Sequence, residues 1–62
     1  MGNQPMTHQE AIESSNILNA KHLTLEFYTR NIGNFYFISV HGIYSKKFII
    51  LTTMSQVKNF KE

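Results

Sequence analysis

Between Leu23 and Arg30 the side chains alternate, with Leu23, Leu25, Phe27 and Thr29 set against Thr24, Glu26, Tyr28 and Arg30. A period of two belongs to a strand with one covered and one wet face, so from this point the chain is committed to a sheet. Phe35 to Val40 then reads Phe-Tyr-Phe-Ile-Ser-Val, apolar or aromatic at both parities. Only a strand covered on both sides suits that pattern, which predicts the central strand. Phe48 to Thr52 repeats it, with Lys46 and Lys47 as charged gatekeepers at its start.

Asn31-Ile32-Gly33-Asn34 carries one Gly and two Asn, residue types that tolerate positive φ, and reads as a hairpin loop. His41-Gly42 marks a turn or bulge, or else the second strand runs on through Ile43 and Tyr44 before Ser45-Lys46-Lys47 reverses it. The pattern allows both registers. The strands therefore form an antiparallel meander of three or four members.

Upstream, Thr7-His8-Gln9-Glu10 fits a capping box, in which the Thr hydroxyl and the Glu carboxylate each satisfy the other residue's amide. A helix is expected from His8 to about Ala20 or Lys21. Its apolar stripe, Ala11, Ser15, Leu18 and His22 with Ile12 and Ile17 on the flanks, is thin and built of small residues. Such a face suits close approach to a sheet. Residues 1–6 read as a flexible leader and 7–62 as one small α+β domain. In the tail, Thr53-Met54-Ser55-Gln56 matches the capping box again. A fourth strand from Val57 to Lys61 is favoured over a helical turn, because isolated helices this short are marginal.

Size sharpens the picture. The chain has 62 residues and no cysteine, so neither a disulfide nor a Cys-based zinc site supports it. Its apolar residues are mostly large, and ordering each residue costs about as much as burying it returns, which leaves a monomer of this length close to balance. One helix also covers only one face of a sheet. If Leu23, Leu25 and Phe27 face the helix, then Tyr28 lies opposite, together with either Tyr36, Ile38 and Val40 or Phe35 and Phe37. Large exposed apolar faces mark interfaces. The expected protein-binding residues are Tyr28, Tyr36, Ile38 and Val40, on a small regulator, inhibitor or adaptor that forms a homodimer or binds another protein.

Catalytic signatures are weak. The acids are Glu10, Glu13, Glu26 and Glu62. Glu10 and Glu13 share a helix turn, where opposition to the helix dipole explains them without an enclosed site to separate their pKa values. His8, His22 and His41 lack ligand spacing, and no G-x-S-x-G elbow or phosphate-cradling glycine loop is present. No enzyme, metal or cofactor is expected.

Charge offers a second reading. Residues 1–22 hold Lys21 against Glu10 and Glu13, net −1, while residues 23–62 hold Arg30, Lys46, Lys47, Lys58 and Lys61 against Glu26 and Glu62, net +3. Cations interleaved with aromatics suit a single-strand binder, which would use Arg30, Tyr44, Lys46, Lys47 and Lys58. The alternative expectation is thus a small basic nucleic-acid-binding regulatory protein. With no membrane-length apolar run, a cytoplasmic location is expected.

Overall fold

The computed structural model describes residues 4–62 as an α+β fold. Helix α1 (His8–Lys21) precedes strands β1 (Leu25–Ile32), β2 (Phe35–Gly42) and β3 (Phe48–Leu51), and a short helix α2 (Met54–Lys58) follows. The sheet is an antiparallel meander in the order β1-β2-β3, so the strand apolar at both parities is central. Residues 1–3 of the expected leader lie outside the described residues.

Helix α1 starts where its capping box places it. The Thr7 hydroxyl accepts from the Glu10 amide at 3.1 Å, and the Glu10 carboxylate accepts from the Thr7 amide at 2.8 Å. Its buried residues are Ala11, Ser14, Ser15 and Leu18, while Ile12 and Ile17 stay exposed. Small side chains bring α1 close to β1, and the seam between them is polar and satisfied. Ser15 Oγ lies 3.0 Å from Thr29 Oγ1, which also donates to the Ala11 carbonyl at 3.2 Å. Ser15 and Asn19, poor formers of helix interior, are therefore partners of the sheet, while Ser14 donates to the Met54 sulfur of α2 at 3.6 Å.

The hairpin between β1 and β2 closes through the pair Ile32–Phe35, leaving only Gly33 and Asn34 in the loop. Gly33 takes φ +58°, and no other residue among those described has positive φ, as in turns whose first central residue must be Gly. The second strand continues through His41 to Gly42, where the Gly42 amide donates to the Lys47 carbonyl and closes the next reversal. Leu23, expected to begin the first strand facing the helix, precedes it and is exposed.

Two further expectations are corrected. The tail does not add a fourth strand: Thr53 caps α2, its hydroxyl accepting from the Gln56 amide at 3.2 Å. The Gln56 side-chain carbonyl in turn accepts from the amides of Thr52 and Thr53 and from the Thr52 hydroxyl. Met54, Val57 and Phe60 pack on the core, which supplies the stabilisation that a lone short helix lacks. The leader, secondly, does not run as far as Met6. Met6 bridges Tyr36, Pro5 bridges Thr53, and the Met6 side chain is only 3% exposed. The short β3 leaves that stretch of β2 unpaired, and the chain before α1 fills it.

The core of Met6, Ala11, Leu18, Leu25, Phe27, Ile38, Val40 and Leu51 lies between the sheet and the two helices. Phe60 meets Phe27 edge-on at 5.5 Å, so α2 and the tail sit on the same side of the sheet as α1. Among the described residues no element covers the other side.

Candidate functional site

The strand register sets which side chains share the open face, because directly opposed residues of an antiparallel pair point the same way. Three rows cross the sheet: Glu26, His41 and Phe48; then Tyr28, Ser39 and Ile50; then Arg30 and Phe37, with Ile32 and Phe35 beyond them at the hairpin. Tyr28, Phe48 and Ile50 are 42%, 60% and 37% exposed, and Phe35 is exposed as well. This face is aromatic on all three strands.

Of the four residues expected to bind protein, only Tyr28 is here. Ile38 and Val40 are fully buried under the helices, and Tyr36 is half-buried on that same side with His8 stacked on its ring at 4.6 Å. The physical reason is parity. A hairpin loop with an even number of residues pairs even positions of β1 with odd positions of β2, so Tyr28 shares its face with Phe35, Phe37, Ser39 and His41. Placing Tyr28 beside Tyr36, Ile38 and Val40 would have needed an odd loop. The loop's parity selects Phe35 and Phe37, the other set that the strand pattern allows opposite the helix. Phe48 and Ile50 were missed as individual residues, although the two-sided apolar pattern of β3 pointed to half of that strand.

The polar groups on this face are tied to one another. Ser39, 3% exposed, accepts from Arg30 Nε at 3.2 Å and lies 3.2 Å from His41 Nε2. The Arg30 guanidinium also stands over the Tyr28 ring, 5.2 Å from its centroid. His41 is wedged edge-on between Tyr28 at 5.5 Å and Phe48 at 5.0 Å. The Glu26 carboxylate beside the Tyr28 hydroxyl raises the phenol above the usual tyrosine value, by hydrogen bonding first and by charge second. Ser39 and His41 bring a nucleophile type and a base type within reach. The hydroxyl is covered by its neighbours, however, and among the described residues no carboxylate hydrogen-bonds the other ring nitrogen of His41. That arrangement braces the face.

The cations expected to track nucleic acid are dispersed. Tyr44, Lys46 and Lys47 lie in the β2–β3 loop, beyond the row that holds His41, whereas Arg30 belongs to the third row. Lys58 is on α2, behind the sheet, where with Lys21 it helps line a groove of about 260 Å³ floored by Ile17, Leu18, Met54 and Val57. The five residues do not form one stripe. The three histidines are likewise apart: His8 on Tyr36, His41 on the open face, and His22 against Phe60 with Glu62 at 3.1 Å. Among the described residues no three His, Cys, Asp or Glu side chains come together as a metal site, and no helix is long and apolar enough to cross a membrane. Comparison with known proteins finds no family, no characterised protein and no solved structure that matches this chain.

Proposed function

We propose that this chain is a small non-enzymatic protein-binding module of the cytoplasm, a regulator, inhibitor or adaptor, that acts through the open face of its sheet and does so as a homodimer. The observation that carries this reading is the contiguous set Tyr28, Phe48, Ile50, Phe37 and Phe35 on a face that no described element covers. Aromatic residues and arginine are the side chains most enriched where proteins dock. Apolar patches of this kind on monomers are usually functional. The hydrogen bonds among Arg30, Ser39 and His41 support binding over chemistry, since they spend polar capacity within the face.

Cross-linking in cell extract with wild type and with Tyr28→Ala/Phe48→Ser tests the reading. Both positions are exposed, so the variant should fold. Wild type is expected to be recovered bound to protein, itself included, and the variant free. Equal recovery by both would overturn it. Binding of a single-stranded oligonucleotide that weakens steeply with salt would instead support the nucleic-acid alternative.

A further inference from the structure

We propose that two copies of this chain pack face to face about a two-fold axis that crosses the strands at the Tyr28–Ser39–Ile50 row, so that Glu26 of each copy meets Arg30 of the other. This rests on the self-association proposed above and states which surfaces meet.

Glu26 and Arg30 carry the carboxylate and the guanidinium of this face, and they stand two positions either side of Tyr28 on β1. Strand geometry sets them about 7 Å to each side of the Tyr28 row. A contact between identical surfaces must be self-complementary, residue i meeting j while j meets i. An axis across the strands at Tyr28 exchanges the first row with the third. The acid then lands on the base in both directions, and His41 of one copy lands on the Phe37 ring of the other. Tyr28 and Ile50 meet their own counterparts at the centre, on either side of the small Ser39. An axis along the strands would keep each row at its own level, opposing Glu26 to Glu26 or to Phe48 and leaving Arg30 without an acid. Burying a charge unpaired is costly, so that arrangement is disfavoured. Sheets packed this way cross at about 30°, an offset that the long Arg30 side chain can span.

The face measures at most about 26 Å by 14 Å from the strand rise and spacing, about 360 Å² per copy, below what stable specific interfaces bury, so the dimer is a weak one. The dimer should therefore dissociate over an accessible concentration range.

Sedimentation equilibrium across a concentration series, with circular dichroism to verify folding, tests the arrangement. Wild type is expected to dimerise and Ile50→Ser, which removes an apolar contact at the axis, to be monomeric. Glu26→Arg and Arg30→Glu should each weaken the dimer by about tenfold or more, since like charges then meet across the axis. The double variant Glu26→Arg/Arg30→Glu should return to within about threefold of wild type, because the swapped pair is again complementary. Because the natural chain has no cysteine, a mixture of Glu26→Cys and Arg30→Cys copies should form a heterodisulfide under mild oxidation. Glu26→Cys copies alone should not cross-link. A dimer broken by Ile50→Ser, but neither rescued by the charge swap nor trapped by the mixed disulfide, overturns this arrangement and leaves the docking face standing. A wild type monomeric at every concentration also overturns it, and the role of the face then rests on whether another protein occupies it in extract.

Discussion

At the scale of single residues, Asn19 is the most consequential polar side chain. Its amide donates to the Phe27 carbonyl at 2.9 Å and accepts from the Phe27 amide at 2.8 Å, so one side chain from α1 satisfies both backbone groups on the outer edge of β1. An open edge is a template for pairing with other chains, and Asn19 closes its middle. Asn19→Ala leaves a part-buried donor and acceptor without partners and should cost about 1–3 kcal/mol. Urea unfolding should read that loss, and light scattering should show a greater tendency to aggregate. Asn19→Asp keeps only the bond from the Phe27 amide and should fall between the two. Asn is by propensity a weak helix former; the partner that accounts for Asn19 is eight residues away on another element.

Helix α2 shows how an element is decided by its surroundings. Both capping boxes were legible as patterns, but only α1 is long enough to be credible alone. Five residues become helical at α2 because Met54, Val57 and Phe60 find the core, and Thr53 and Gln56 then satisfy the first turn. Thr53→Ala removes the cap and should cost about 1 kcal/mol. Amide hydrogen exchange should rise first at Gln56 and Val57, with β1 and β2 little affected. If exchange rose equally in the sheet, the cap would be supporting the whole fold and not α2 alone. Similarly, the boundary before α1 depends on β3 being short, since the stretch of β2 beyond it is what Met6 pairs with.

Across the whole molecule, Glu62 ties the tail back to the turn between α1 and β1. Its carboxylate accepts from the Thr24 hydroxyl at 2.7 Å and lies 3.1 Å from His22 Nδ1, and these two bonds, Thr24 first, hold its pKa below the usual glutamate value of 4.5. A depressed folded value stabilises the fold above the unfolded pKa, and the contribution is lost as pH falls through the folded value. Wild type should therefore melt at a higher temperature than Glu62→Gln near neutral pH, and the two should converge in acid below about pH 4.5. A melting difference that persists unchanged into acid would mean that the amide fails to replace the carboxylate for reasons other than charge.

By itself the sequence determined the first helix and its start, the meander, the central place of the second strand, and a surplus of apolar surface. Those follow from local periodicity and capping, which operate over a few residues. Tertiary structure decided which half of β2 faces out, because a two-residue loop sets the parity of the entire hairpin. It also decided the fate of the tail and of Met6, since both depend on contacts with distant residues. The candidate site shifted accordingly, keeping Tyr28 and exchanging Tyr36, Ile38 and Val40 for Phe35, Phe37, Phe48 and Ile50.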